Sequence, residues 1–84
     1  MNKYSILIPI HNEIGYLPNL LNALEYYINK GHEVIIIDDG SNDGSTNILK
    51  NCKMIKLISL LKNKGKGFAL RQGLMNANND KIVI

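Results

Sequence analysis

The sequence predicts an α/β fold built on a parallel sheet. Two observations carry that prediction. The runs "YSILIPI" and "EVIII" are rich in β-branched and apolar residues, as expected of strands buried on both faces. They alternate with stretches of helical periodicity at the spacing of βαβ units, which imply right-handed crossovers.

Tyr4 to Ile10 is the first strand, stopped by Pro9 and the polar residues that follow. Leu17, Leu20, Leu21, Leu24 and Ile28 recur at helical spacing, with Pro18 acceptable in a first turn and Gly31 placed as the C-terminal cap. Glu33 to Ile37 is the second strand and runs into Asp38 and Asp39. A turn and a short helix over about Asp43 to Cys52 follow. Met54 to Leu60 is a third strand whose Lys56 and Ser59 mark it as a sheet edge. After "KNKGKG" a second clear helix carries Phe68, Leu70, Leu74 and Ala77, with Ala69 and Gly73 forming a smooth face. "NND" closes it, and "KIVI" opens a fourth strand. At 84 residues the chain is one small domain or part of one, because a domain this size buries only about 60% of its unfolded surface. The expectation is a unit over residues 1–84 that belongs to a larger domain and stops inside the fourth strand.

Composition excludes several function classes. The formal charge of +3 comes from scattered lysines rather than a basic stripe, which argues against nucleic acid as a partner. The single cysteine, Cys52, has no internal disulfide partner and fits a reducing compartment. The first residues lack the apolar length and cleavage site of a secretory signal, and no run reaches the roughly 18 apolar residues of a membrane span. The expected setting is cytoplasmic, with attachment to a membrane face only through sequence outside this chain.

In an open parallel sheet, ligands bind beyond the carboxyl ends of the strands. Three loops leave such ends: "PIHNEIG", "DDGSNDGS" and "KNKGKG". The first supplies His11, Asn12 and Glu13. The second supplies two adjacent carboxylates, which raise each other's cost of ionisation unless donors, a cation or a ligand offsets it. The third supplies lysines between glycines that let backbone approach a ligand. Acids beside bases suit a ligand carrying both N–H or O–H donors and phosphates, as a nucleotide does. Each piece also has a plainer reading. Asp38 and Asp39 can hold turn amides, Ser41 or Asp43 can cap the next helix, and Glu13 can complement a helix N-terminus. The lysine loop and Arg71 can be solvated surface.

Rival motifs fail on position. The calcium-loop pattern that starts at Asp39 places Lys50 where a bidentate Glu belongs. A dinucleotide site needs three glycines in the first turn, and "PIHNEIG" has only Gly15. The lysine loop lacks the Walker spacing. An aspartyl-phosphate enzyme would place its Asp after the first strand, where this chain has "PIHN".

The order "ILIPIHNE", "EVIIIDDGSNDGST", "NKGKGFALRQGLMNANND" resembles the N-terminal half of family 2 glycosyltransferases across nearly the whole chain. That resemblance implies a Rossmann-like sheet of the GT-A fold in strand order 3-2-1-4. It implies transfer of a sugar from a nucleotide sugar, commonly UDP- or GDP-linked, to a hydroxyl or lipid-phosphate acceptor. By the same analogy Pro9, His11 and Glu13 line the base and ribose, Asp39 bonds the base, Asp38 supports that loop, and Lys66 and Arg71 lie toward the base or diphosphate. Two positions depart from the family: His11 stands where an aromatic residue is frequent, and Asn79 where Gly is usual. The Asp-x-Asp motif that holds a divalent cation, Mg or Mn, and the later general base would fall beyond Ile84. No residue here is therefore assigned to catalysis or to metal. The alternative is a nucleotide-binding module without transfer activity. A nucleotidyltransferase, third, lacks its glycine-rich, basic first loop. The "GKGFALRQG" stretch resembles enzymes that glycosylate polyprenyl phosphates, pointing to lipid or cell-envelope polysaccharide chemistry.

Overall fold

In the computed structural model, which describes residues 2–84, seven elements follow one another along the chain. They are β1 (Tyr4–Ile10), α1 (Leu17–Asn29), β2 (Glu33–Asp39), α2 (Ser45–Lys50), β3 (Lys56–Leu60), α3 (Lys66–Asn76) and β4 (Lys81–Val83). All pairings are parallel, and the sheet order is β3-β2-β1-β4, as expected. The central strand pair is the apolar one because both its faces are covered. Val34 and Ile36 of β2 point to one side, where they meet Ile10, Leu17, Leu24 and Leu49 from β1, α1 and α2. Ile35 and Ile37, one residue out of phase, meet Leu7 and Ala69 on the side of α3. The two-residue period of the strand thus divides one apolar run between two cores.

Differences from the sequence reading lie at element edges and on α3. The short helix is Ser45–Lys50, and β3 begins at Lys56, leaving Met54 and Ile55 in the approach to it. On α3 the buried contacts are Ala69 and Gly73, while Leu74 is exposed. The reason is proximity: a Cβ on Gly73 would stand 2.9 Å from Ile37 Cδ1 and 3.3 Å from Leu7 Cδ1, so the helix lies too close to the sheet for large side chains there.

Register sets the height of the loops. Ile10 is level with Asp38, and Asp39 is level with Leu60. The chain therefore leaves β1, β2 and β3 at nearly one level, and the three loops meet at the carboxyl edge. At the opposite edge Glu33 gathers donors: the Ser5 hydroxyl donates to it at 2.7 Å and Asn78 from its backbone N–H at 2.8 Å. Lys56 adds an ion pair at 3.5 Å. This cluster ties the turn before β4 to β1 and β2.

Candidate functional site

Asp38 and Asp39 point in opposite directions, as neighbours on a strand must, and each has its own set of donors. Asp38 is fully buried. Its Oδ1 accepts the Ser41 N–H at 3.1 Å and its Oδ2 accepts the Thr46 hydroxyl, so it braces the turn into α2 from beneath. Asp39, 4% exposed, reaches the other way. Its two oxygens accept the Lys64 N–H at 2.7 Å and the Gly65 N–H at 2.9 Å. Both oxygens of the buried Asp39 carboxyl are thus satisfied by backbone donors, as a buried polar group requires. The same bonds fix the loop between β3 and α3.

Gly40 brings that loop in. Its φ of +70° is a left-handed conformation, and a Cβ there would run into the Asn63 nitrogen and stand 2.6 Å from the Lys62 carbonyl carbon. Only glycine allows backbone to approach backbone so closely. The turn after β1 is tied down separately. Asn12, at φ 54°, donates its N–H to the Ser41 hydroxyl and accepts the Asn42 N–H on Oδ1. Asp43 accepts the Ile14 N–H as well as the Ser45 N–H and hydroxyl. The Ser45 hydroxyl bond leads the effects that hold the Asp43 carboxyl below its ordinary range. Ser41 and Asp43 are thus structural, but they tie turns together rather than cap the helix: α2 starts from Gly44 with no side-chain cap.

These ties leave a crevice of about 410 Å³ lined by Pro9, Ile10, His11, Glu13, Asp39, Asn63, Gly65 and Lys66. Five of the residues singled out from sequence, Pro9, His11, Glu13, Asp39 and Lys66, meet in it. Asp38 lies below the turn rather than on the wall. Arg71 stands one helical turn along α3, its Nη1 4.0 Å from the place of a Gly67 Cβ, which sets it over the first turn of that helix. Asn63 also lines the crevice and was not singled out; the only sequence signal for it is its place in the lysine loop. The side chains of Glu13 and Lys66 make no hydrogen bond to other described residues and are free to meet a ligand. Lys66 opens α3, where helix dipole and amide N–H groups favour an anion. The crevice thus offers a cation and a helix start on one side, and carboxylates that accept N–H or O–H donors on the other.

Among the described residues no group of three or more His, Cys, Asp or Glu is arranged to hold a metal ion. Asp38 and Asp39 are engaged with protein donors, so the donor set present does not make a cation site, and no chemical step is assigned through one.

A parallel three-layer α/β unit with a mixed acid and base crevice at its carboxyl edge defines a Rossmann-like domain with a candidate ligand site at the end of its strands. Comparison with known proteins makes the assignment specific: residues 5–84 match the model of glycosyl transferase family 2, and the chain belongs to that family. The human dolichyl-phosphate beta-glucosyltransferase is 32% identical over a 96-residue alignment that covers 98% of this chain and 30% of that protein. The undecaprenyl-phosphate 4-deoxy-4-formamido-L-arabinose transferase of Aeromonas hydrophila is 34% identical, covering 94% of this chain and 27% of that protein. The crystal structure of S. aureus TarS superposes with a TM-score of 0.82 at 26% identity, over 95% of this chain and 15% of that one. The sheet is that of the GT-A fold. The chain spans under a third of the length of these relatives.

Proposed function

We propose that this chain is the donor side of a sugar transferase, binding the nucleoside diphosphate of a nucleotide sugar in the crevice between Pro9, His11, Glu13, Asp39 and Lys66. The observation that carries this is the convergence of those residues, from three loops, on one open cavity. The base and ribose lie against His11 and Pro9, where Glu13 and the remaining lone pairs of Asp39 accept N–H and O–H donors. The diphosphate lies toward Lys66 and the start of α3, with Arg71 over the same turn. The whole protein transfers the sugar to a hydroxyl or lipid-phosphate acceptor. Support for the second kind is that two relatives are named for dolichyl and undecaprenyl phosphates. A divalent cation, Mg or Mn, and a general base are supplied from outside this chain. No described helix is long and apolar enough to cross a membrane, so contact with a lipid acceptor at a membrane face would rest on other parts of the protein.

The test is calorimetric titration with UDP, GDP and their sugars, with and without manganese, alongside amide shift mapping. The expected result is binding that perturbs His11, Glu13, Gly65 and Lys66, changes little with manganese and weakens in Lys66→Ala and Glu13→Gln. Those two substitutions leave every side-chain hydrogen bond of the fold in place. A folded chain that binds none of these ligands overturns the reading.

A further inference from the structure

We infer that Asn12 is a positioning residue that, with the Asp39 carbonyl, holds His11 as a single neutral tautomer, so that His11 gives the crevice ring surface and no hydrogen bond. Two backbone groups, one at each end of this run of hydrogen bonds, have roles beyond choice. At one end, the backbone N–H of Asn42 can only donate; it lies 2.8 Å from Asn12 Oδ1, which fixes that atom as the oxygen and turns the amide nitrogen toward the ring. Asn12 Nδ2 is 3.2 Å from His11 Nε2, and an amide nitrogen can only donate, so Nε2 is the bare, accepting nitrogen. At the other end, the carbonyl oxygen of Asp39 can only accept. It lies 2.7 Å from His11 Nδ1, which must therefore carry the proton. Both ends demand the same tautomer, Nδ1–H.

The backbone explains why this position is Asn. Its φ of 54° is left-handed, a region that Asn enters more readily than other residues with a side chain. Within one residue the N–H reaches Ser41, the side-chain oxygen reaches Asn42 and the side-chain nitrogen reaches His11. The turn after β1 is thereby pinned to the turn after β2 and to the ring on the crevice wall. With both nitrogens committed inside the protein, His11 cannot read donors or acceptors of a ligand. It supplies a flat neutral surface, and hydrogen-bond selection falls to Glu13, Asp39 and Asn63.

The ligand side of this inference rests on the nucleotide reading, whereas the tautomer does not, and the experiment separates them. Long-range proton–nitrogen NMR spectra of the ligand-free chain read the protonation of each ring nitrogen. The expected pattern is Nδ1–H for the unaltered chain. Asn12→Gly keeps the backbone angle and removes the amide, which leaves the Asp39 carbonyl as the single selector: Nδ1–H stays the majority form, an Nε2–H minority appears, and the Nε2 resonance shifts as its donor is lost. Asn12→Asp, which turns the donor facing Nε2 into an acceptor, should give a ring protonated on both nitrogens. An Nε2–H pattern in the unaltered chain, or an Asn12→Gly spectrum whose Nε2 resonance and tautomer ratio match those of the unaltered chain, overturns the proposal. On the ligand side, UDP affinity should survive His11→Phe within about threefold and fall about tenfold or more in His11→Ala, the scale of a lost base–aromatic stack. Equal loss in both variants overturns the claim that the ring offers only its surface. If UDP and GDP leave the unaltered chain untouched while the tautomer pattern is as expected, the nucleotide reading falls and the positioning role of Asn12 stands.

Discussion

Replacing Gly40 by Ala tests the contact on which the crevice depends. Two costs act together. The left-handed backbone at φ +70° disfavours any residue with a Cβ by about 1–2 kcal/mol. The new methyl would also stand 2.6 Å from the Lys62 carbonyl carbon, where real Cβ contacts essentially never fall below 3.0 Å. The neighbouring loop must therefore retreat by at least about 0.4 Å, or the strain of overpacking, about 1–3 kcal/mol, is retained. Retreat carries the Lys64 and Gly65 amides away from Asp39, so part of the cost appears as weaker bonds there rather than as strain. The sum expected is about 2–5 kcal/mol. Urea denaturation measures it, with two comparison variants. Gly31→Ala has φ +89° but meets only the flexible tip of Lys3, so it isolates the backbone cost. Gly15→Ala has no positive φ and nothing within 4 Å, so it should shift stability by no more than about 0.5 kcal/mol. The Lys64 and Gly65 amide resonances should move in Gly40→Ala and in neither comparison. A Gly40→Ala chain that unfolds at the same urea concentration as Gly31→Ala, with those two amides unmoved, refutes the close approach.

Asp39→Asn should cost about 1–3 kcal/mol, because one of two oxygens that accept amides becomes an NH2 group facing an N–H; faster hydrogen exchange at Lys64 and Gly65 is the check, and unchanged exchange would count against the paired bonds. Stability should also depend on acid through Glu33. Burial pushes its carboxyl up, but the Asn78 N–H, the Ser5 hydroxyl, Lys56 and the Asn78 amide together outweigh it and hold it below its ordinary value of 4.5. A depressed carboxylate contributes stability that is complete above its unfolded value and lost as pH falls through its folded one. Unfolding titrations of Glu33→Gln should accordingly show a deficit at pH 7 that shrinks below about pH 4.5; a deficit independent of pH would contradict this account.

Much of the fold was legible because its signals are local. Buried parallel strands need continuous apolar runs, so "SILIPI" and "EVIII" announced themselves, and turn formers marked where each ended. The crevice was legible for a different reason. Once the strands are parallel, the residues at and beyond each carboxyl end are brought to one edge: Asp39 is the last residue of β2, and His11, Glu13 and Lys66 follow the ends of β1 and β3 within a few residues. On α3 the smooth face of Ala69 and Gly73 was legible and is the buried one, but Leu74 was not readable as exposed, because it looks like a core residue until the distance between helix and sheet is known. Nor were the donors of Asp39, which come from residues 25 and 26 positions away.

By itself the sequence determined the order of the elements, the parallel sheet and the membership in glycosyl transferase family 2, since periodicity, turn chemistry and motif order are properties of neighbours along the chain. Tertiary structure alone decided what each polar side chain does. Asp38 became a brace and Asp39 a clamp because strand geometry aims neighbours to opposite faces and different loops wait on each side. Asn12 and Gly40, unremarkable in a turn, became the points where two loops are held together. Which donor meets which acceptor depends on distances across the fold, and those exist only after the sheet has brought the loops to the same edge.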